Sequence, residues 1–423
     1  MSNHTSQKIV DHLFRHEYGR MVSVLVRVFG PSQLNLVEDA VQEAFIKAVL
    51  TWRSGKIPDN PSAWLHRVAK NKAIDLIRSN RSRNLRNEKF NQLQPLEEKL
   101  EAYLDSEIED SQLRLIFTCC SLDLKEEDKI AITLQLISGF GMKEIAKALI
   151  IKEETVKKRL HRARSKLKNE DTTVELPIGK ELHPLLNTAH KIIYLLFNEG
   201  YNSTSQDQLI RKDLCAEAMR LCRLIIDHPY CKSDSGQALM ALMCYHSARL
   251  DSRLNTEHEI ILLKDQDRTL WFQPLIELGD HYLALASTTE KFSVYHLEAA
   301  IAAQHSKSRS FEDTNWAILE KLYGILDEVA PNPVIKLNLS ICRKENKDLP
   351  GALELIESLN VRDFYPNPYL YHAVAADIYY AIDQSDQAIE HLRNSLVNAP
   401  TESERKLIVI RLNEYENLSD KSF

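Results

Sequence analysis

Apolar residues recur at helical spacing along most of the chain. In its first part this spacing predicts helices over about 6–29, 34–51 and 62–80, separated by Gly30-Pro31 and by the turn residues 54–58. Further helices are predicted over about 111–120, 125–138, 141–149 and 153–164. From residue 181 onward helical segments continue, with few glycines or prolines and without the alternation that is typical of strands. The pattern therefore predicts an all-α protein.

The second predicted helix has one apolar and one acidic face. Its apolar stripe consists of Val37, Ala40, Val41, Ala44, Phe45 and Ala48. We therefore expect Glu38, Asp39, Gln42 and Glu43 to project from the opposite side. An acidic face of this kind suits a basic partner helix.

The third predicted helix carries basic and amide groups on its exposed side. At about 100° per residue, Arg67, Lys70, Asn71 and Arg78 fall together, and Arg81 and Arg83 follow them. Such groups neutralise phosphates, while a neighbouring aromatic ring such as Trp64 can hold an unstacked base, as binding of a melted strand requires. For Trp64 alone, packing in the core is the alternative interpretation.

The segment 141–164 has the spacing of a helix-turn-helix, with the small Ala146 between Ile145 and Leu149. In its last helix Val156, Leu160, Ala163 and Leu167 form the buried stripe, so the opposite face presents Glu154, Thr155, Lys158, His161 and Arg162, with Lys157 at its border. Recognition helices read bases near their N-terminus. We assign Glu154, Thr155 and Lys158 to bases, and Lys157, Arg162 and Arg164 mainly to phosphates. A protein-binding hairpin is the alternative.

Charge is distributed unevenly along the chain. Residues 1–170 carry 29 basic and 23 acidic residues, whereas the remainder carries 25 and 37. Within residues 1–170, the segments 67–89 and 152–168 each have a net charge of +6, and the segment 97–128 between them has a net charge of −8. Two basic blocks predict two nucleic-acid contacts, although a basic helix can also simply be solvated.

A chain of 423 residues accommodates roughly three domains. The pattern predicts a first domain over 5–85, an acidic linker over 86–108, a helix-turn-helix domain over 109–170 and a helical domain over 181–423.

Several classes of protein are excluded by what the sequence lacks. It has no apolar run of the roughly 20 residues that a membrane span needs and no signal-peptide core at its start, so we expect a soluble, cytoplasmic protein without a membrane partner. The seven cysteines include no CxxC pair, and phosphate-binding, metalloprotease and nucleophile motifs are absent. We expect buried reduced thiols, no metal, no cofactor and no catalysis.

Three segments together resemble the extracytoplasmic-function (ECF) sigma factors: 36–45, 61–75 and 144–164, in that family's order and spacing. The resemblance implies a sigma region-two domain whose Asp39, Gln42 and Glu43 dock on the β′ clamp helices of core RNA polymerase. Its third helix would melt and hold the minus-ten promoter element. The helix-turn-helix would be region four, reading the minus-thirty-five element and touching the β flap. The acidic stretch 97–110 would lie along the RNA path, or be an exposed spacer.

The helical domain contains two polar clusters and a weak repeat. Segments 351–356 and 387–392 echo each other at 36 residues, which is typical of a tetratricopeptide-like (TPR-like) stack with a groove for a partner. The clusters are interpreted as a regulatory pocket, as an intramolecular contact with the sigma module, or as buried ion pairs that fix helix packing. They comprise Glu199, Arg211, Asp213, Glu217 and Arg220 in the first and Asp265, Asp267 and Arg268 in the second.

Segments 194–201, 213–221, 265–271 and 298–303 resemble the C-terminal extension of one ECF subgroup. Its members carry a TPR-like domain and are associated with YCII-related (DGPF) proteins, and the extension is thought to regulate the sigma factor. We therefore expect an ECF sigma factor that binds promoter DNA, both duplex and melted, for core RNA polymerase. The acidic C-terminal extension would shield the basic residues 1–170 when promoter DNA is absent. The alternatives are a helix-turn-helix activator that binds operator DNA, and an adaptor or enzyme whose working part is the C-terminal domain, with Glu199, Asp265 and Asp267 as the first residues to test.

Overall fold

The computed structural model describes residues 2–52, 57–84, 105–169, 182–203, 209–257, 259–288, 292–365 and 367–419. These residues form helices joined by turns, with one isolated antiparallel bridge between Leu254 and Ile260. The all-α prediction is confirmed. The chain divides into two compact units, Met1–Lys232 and Ser233–Phe423, which are described separately.

The described helices of the first unit agree with the predicted ones to within a few residues in most cases. The largest differences are that α1 begins earlier than predicted and that α4 and α7 are longer. The helices are α1 (Ser2–Phe29), α2 (Leu34–Trp52), α3 (Pro61–Asn84), α4 (Asp105–Ser121), α5 (Glu126–Ser138), α6 (Met142–Ala148), α7 (Glu153–Asn169), α8 (Leu182–Tyr201) and α9 (Lys212–Asp227). The linker predicted over 86–108 lies largely outside the described residues.

Helices α1 and α5 approach each other at Gly19. A Cβ atom on Gly19 would lie 1.9 Å from the backbone oxygen of Ile137 in α5, so only glycine fits there. Trp52 at the end of α2 is completely buried, and its ring lies 5.3 Å from that of Trp64 in α3. The turn after α5 is formed by Gly139, whose φ of 65° favours glycine. The helices before residue 170 therefore share one core.

Helices α8 and α9 belong to this first unit. The apolar face of α8, including Leu186, Ala189 and Ile193, is buried, and α8 packs on α4, α5 and α6 while α9 packs on α8, α1 and α4. The sequence assigned both helices to a separate domain over 181–423. The structure instead places them with the helices that precede them, because their amphipathic faces are buried against those helices.

The second unit is a succession of helices in which neighbours along the chain pack on each other. One core cluster joins Leu337, Ile356 and Phe364, and another joins Leu319 and Leu326 to Cys342. The helices are α10 (Asp234–Ala248), α11 (Gln273–Ala286), α12 (Val294–Lys307), α13 (Trp316–Val329), α14 (Pro333–Glu345), α15 (Leu349–Ser358), α16 (Pro368–Ala381), α17 (Ser385–Asn398) and α18 (Glu402–Ser419).

All seven cysteines are buried and none is in a disulfide, as predicted. Burial raises the pKa of the Cys119 thiol to about 12 and that of Cys231 to about 11. Such thiols carry almost no reactive thiolate at neutral pH. Among the described residues no group of three or more histidine, cysteine or acidic side chains is arranged to hold a metal. None of the described helices combines the length and apolar character that crossing a bilayer demands.

His190 in α8 makes the stability of the first unit depend on pH. Burial lowers its pKa from 6.5 to about 4, so below pH 6.5 the unfolded chain binds a proton that the folded chain excludes. Between pH 7 and pH 5 this histidine is expected to cost roughly 2 kcal/mol of stability. Hydrogen exchange of α8 measured against pH checks this: His190→Gln should flatten the profile. The exposed His183→Gln in the same helix is the control, and an equal slope in all three proteins would contradict the prediction.

Candidate nucleic-acid interface

The predicted acidic face of α2 is only partly exposed. Asp39, Gln42 and Glu43 lie on the surface, as predicted. Glu38 does not, because only 6% of it is exposed. The prediction that all four side chains project outward is therefore wrong for Glu38, which faces neighbouring helices instead of solvent.

Glu38 is held by a guanidinium from α7. Arg164 in α7 donates from Nη2 to Glu38 Oε1 at 2.7 Å and from Nη1 to Oε2, and Tyr18 Oη donates to Glu38 Oε1 at 3.2 Å. Gln135 Oε1 in α5 accepts from Arg164 Nη2 at 2.7 Å. Burial opposes the charge of Arg164, but the hydrogen bond and charge of Glu38 raise the pKa of Arg164 above its usual value. For Tyr18, burial and the neighbouring Glu38 both raise the pKa. This buried ion pair joins α2 to α7.

The basic side of α3 lies as the helical spacing predicted. Arg67, Asn71 and Arg78 are exposed and Lys70 is half-buried, whereas Leu65 and Ala69 are fully buried. Arg81 and Arg83 belong to α3, but their side chains lie outside the described residues. Trp64 is half-buried against Trp52, so core packing accounts for part of its surface.

Two polar contacts fix α3 against the preceding helices. His66 Nε2 lies 2.9 Å from Glu17 Oε2 in α1, and Lys72 Nζ donates to Glu43 Oε1 in α2 at 2.8 Å. Burial opposes ionisation of Glu17, but the hydrogen bond and charge of His66 hold its pKa below the usual value. The basic face of α3 therefore has a fixed orientation relative to the acidic face of α2.

The helix-turn-helix is formed by α6 and α7. At the start of α6, Glu144 Oε2 accepts the backbone N–H of Gly141 at 2.8 Å, and the turn between the helices contains Ile150 at a φ of 54°. The predicted stripe of α7 is confirmed, since all its members are buried: Val156, Leu160, Ala163 and Leu167. The predicted base-contacting and border side chains are exposed: Glu154, Thr155, Lys157, Lys158 and His161.

The two arginines assigned to phosphates are engaged within the chain. Arg162 Nη2 donates to Asp128 Oδ1 at 2.8 Å and Nε donates to Oδ2 at 3.1 Å, which raises the pKa of Arg162. Its side chain remains 54% exposed, so Arg162 can still reach a ligand from this position. Arg164, by contrast, is largely covered by its contact with Glu38.

The first polar cluster of the predicted extension contacts helices that precede residue 170. Arg211 at the start of α9 donates to Glu144 Oε1 at 2.8 Å, and Arg15 in α1 donates to the same oxygen at 3.1 Å. Burial opposes the charge of Glu144, but Arg15, the N–H of Gly141 and Arg211 hold its pKa below the usual value. Arg211 also lies 4.0 Å from Asp213. Glu144 therefore joins α1, α6 and α9.

The rest of that cluster lies along α8 and α9. Glu217 is buried, pairs with Arg220 at 2.7 Å and lies 4.0 Å from His16 in α1. Arg220 Nη2 also donates to Gln112 Oε1 in α4 at 2.8 Å. Glu199 is buried in α8, with Ser203 Oγ at 3.5 Å. Of the interpretations left open, buried ion pairs and contacts with the helices that precede residue 170 are both present.

The second polar cluster consists of local contacts within the second unit. Asp267 accepts the backbone N–H of Thr269 at 2.9 Å, and Asp265 is exposed. Arg268 is buried, donates to the backbone oxygens of His305 and Ser308 at the end of α12, and lies over the ring of Trp271. These contacts satisfy carbonyl groups at a helix terminus, a structural role.

A cavity of about 540 Å³ lies beside the Glu38–Arg164 pair in the first unit. Asp39 and Gln42 from α2 line one side, and Gln135, Phe140 and Arg164 line the other. Part of the predicted polymerase-binding face therefore borders this cavity.

Sequence reasoning missed Tyr18 and Gln135 as partners of Glu38 and Arg164, and it missed Glu144, which Arg15 also contacts, as the partner of Arg211. The Arg164–Glu38 contact spans 126 residues and the Arg15–Glu144 contact spans 129. No local pattern of the sequence signals contacts at such separations.

Models of three protein families match the chain. Sigma-70 region 2 matches residues 13–83, Sigma-70, region 4 matches 114–167, and a family of unknown function (DUF6596) matches 186–287. No solved structure matches.

Curated relatives match as well. An uncharacterized protein, R00370 of Rhizobium meliloti (strain 1021), is 29% identical over 394 residues, 92% of each chain. The ECF RNA polymerase sigma factor SigW of Bacillus subtilis is 33% identical over 31% of this chain and 74% of its own length. The ECF RNA polymerase sigma factor SigE of Mycolicibacterium smegmatis is 27% identical over 38% of this chain and 60% of its own.

Proposed function

Because the chain belongs to the ECF RNA polymerase sigma factors, a family that acts in transcription initiation on core polymerase and promoter DNA, we propose that it directs polymerase to its own set of promoters. The observation that carries the proposal is the pair of faces in the region-two match: an exposed acidic face on α2 beside an exposed basic face on α3. An operator-binding activator needs no such melting surface, which makes that alternative the weaker one.

The role proposed for each helix follows from the chemistry of its exposed face. Asp39, Gln42 and Glu43 on α2 bind a basic helical surface, the β′ clamp helices of core polymerase. Arg67, Lys70 and Asn71 on α3 hold phosphates and bases of the melted minus-ten strand, with Trp64 beside them. Helix α7 reads the minus-thirty-five duplex through Glu154, Thr155 and Lys158, and region four contacts the β flap.

In the proposed function the C-terminal helices regulate transcription initiation by this protein. Their helical pairs form a TPR-like surface on which a partner docks. The contacts of Arg211 and Arg220 with residues of α6 and α4 support regulation, since they join the start of the extension to the region-four helices.

The test is in vitro transcription from fragmented genomic DNA, with bacterial core polymerase and the purified full-length chain. New discrete start sites that require the chain are expected. Sequence-specific duplex binding without any transcript would contradict the proposal and favour the operator-binding activator.

Two variants of α7 separate base reading from phosphate binding. Lys158→Ala is expected to change which start sites are used, whereas Arg162→Ala should weaken all sites alike and lower the salt slope of duplex binding by about 0.9 log units. Start-site mapping and binding at several salt concentrations measure both effects. Lys264→Ala, an exposed lysine of the second unit, is the control. Identical start-site profiles for the two α7 variants would refute the assignment.

A further inference from the structure

Helix α13 of the second unit has two apolar faces. Leu319 and Leu326 on one face are fully buried in the core of this unit. Three aliphatic side chains on the other face are between 39% and 55% exposed: Ile318, Ile325 and Val329. We propose that this exposed face of α13 binds the same face of a second copy of the chain, so that the two helices pair in antiparallel orientation. The pairing goes beyond the proposed function, which holds or fails independently of it.

The spacing of the exposed face is that of a helix that packs on another helix. Ile318, Leu322, Ile325 and Val329 follow each other at steps of four, three and four residues. These steps are those of the apolar positions of a coiled coil, whose side chains insert between residues of the facing helix. Leu322 is half-buried against the core cluster that contains Leu319, so the stripe borders that core on one side. The partner that fits this face is therefore a second helix.

The charged residues beside the stripe favour a second copy as the source of that helix. Lys321 and Glu328 are both exposed and lie on the border of the stripe away from the core. In an antiparallel pair centred between Leu322 and Ile325, Lys321 lies beside Glu328 of the second copy. Twofold symmetry repeats this ion pair, because each copy supplies both of its charges. The face is thus complementary to itself.

A parallel pair lacks this complementarity. In a parallel coiled coil the position of Lys321 faces the position that Leu326 occupies in the partner helix, where no charge is available. Leu326 is moreover buried in the core of its own unit. The antiparallel orientation is therefore the one that the charges favour.

Among the described residues, neither charge beside the stripe already has a partner. Glu320, which faces α14, pairs with Arg343 at 3.4 Å. Lys321 and Glu328, by contrast, make no ion pair and no side-chain hydrogen bond within the described part of the chain. Gly324 lies on the same side of α13, and a Cβ atom there would meet nothing within 4 Å. A second copy can reach both charges without displacing an existing contact.

The size of the face sets the strength of the pairing. One stripe of four apolar side chains per copy buries less than the roughly 1,200 Å² at which stable interfaces begin. We therefore expect a dimer that forms and dissociates readily, with a dissociation constant on the order of 10 µM.

Sedimentation velocity of the full-length chain tests the pairing. Between about 1 and about 200 µM we expect a shift from monomer to dimer. Ile325→Glu should raise the dissociation constant at least about tenfold, because it places a carboxylate inside the contact. Val397→Glu in α17 is the matched control, since it puts the same charge on an aliphatic residue that is 80% exposed, and it should dimerise as the unaltered chain does.

Two results of that experiment would overturn the proposal. One is a chain that stays monomeric at every concentration. The other is a dimer that Ile325→Glu leaves intact, which would place the contact on another surface. Because Ile325 is exposed, the helix content of the variant measured by circular dichroism should match that of the unaltered chain.

Exchange of the two charges tests the antiparallel orientation. Lys321→Glu places a carboxylate beside Glu328 of the second copy at both ends of the pair, so the dissociation constant should rise about tenfold. Adding Glu328→Lys to the same chain restores opposite charges, and the affinity should return to that of the unaltered chain. Lys264→Glu makes the same change in net charge at an exposed lysine elsewhere in the unit and should have no effect. An equal loss in the single and the double variant would contradict the orientation.

A spin label on Ala317→Cys measures the orientation directly. Ala317 is exposed and all seven native cysteines are buried, so the label attaches at this position. In the antiparallel pair residue 317 lies opposite Ala330 of the second copy, which separates the two labels by about 20 Å along the helix axis. A parallel pair would bring them to about 10 Å of each other, the distance between packed helices, and would overturn the antiparallel assignment.

Discussion

Alanine in place of Trp52 is expected to lower the free energy of unfolding of the first unit by about 4 kcal/mol. The side chain is completely buried at the end of α2 and packs against Trp64 of α3, so its removal leaves a large cavity where these helices meet. Since α3 carries the basic face, the same cavity should also loosen the orientation of that face relative to α2.

Hydrogen exchange of the α2 and α3 amides in the full chain measures this loss directly. Leu50→Ala is the control, because Leu50 lies in the same helix but is 64% exposed, and its change should stay within about 0.5 kcal/mol. A Trp52→Ala protein whose exchange matches that of Leu50→Ala would show that this contact does not hold α3 in place.

Reversing the charge of Asp39 and Glu43 together is expected to weaken binding to core RNA polymerase by about 100-fold, or roughly 3 kcal/mol. Both side chains are exposed, so lysine at each position would place positive charge where the proposed function requires negative charge. Lys72, which pairs with Glu43 at 2.8 Å, would lose its partner and add to the repulsion.

Titration of labelled core polymerase with the double variant provides the measurement. Glu277→Lys combined with Glu354→Lys is the control, since it changes the net charge equally through exposed residues of the second unit. An equal loss of affinity in both proteins would indicate a general charge effect, and no loss in either would contradict the assignment of α2.

The helices of the interface were predictable because their signal is local. The stripes of α2 and α7 are set by spacing along one helix, and every residue assigned to them is buried. Spacing could not place Glu38, since its burial depends on Arg164 and Tyr18, which come from other helices. A helical pattern shows which side of a helix is polar, but not which polar residues find a partner.

Local sequence signals also could not show where the second structural unit begins. Helices α8 and α9 continue the helical pattern of the residues that follow, so the sequence offered no boundary at Lys232. Their assignment to the first unit depends on contacts such as Arg211 with Glu144 and Arg220 with Gln112. For Asp267 and Arg268 the sequence left open a pocket, a contact with the sigma module or an ion-pair network, and in the structure both residues make local contacts at helix ends.

The pairing of Arg164 with Glu38 limits how this protein can be re-engineered. A chimera that exchanges α7 for a helix without an arginine at position 164, in order to redirect the protein to other promoters, would leave Glu38 buried without its cation. Positions 38 and 164 should therefore be transplanted together, although they lie in different helices that are far apart in the sequence. A library that varies α7 alone would select partly for variants that restore a partner for Glu38. The promoter preferences measured from such a library would therefore reflect this selection as well as DNA recognition.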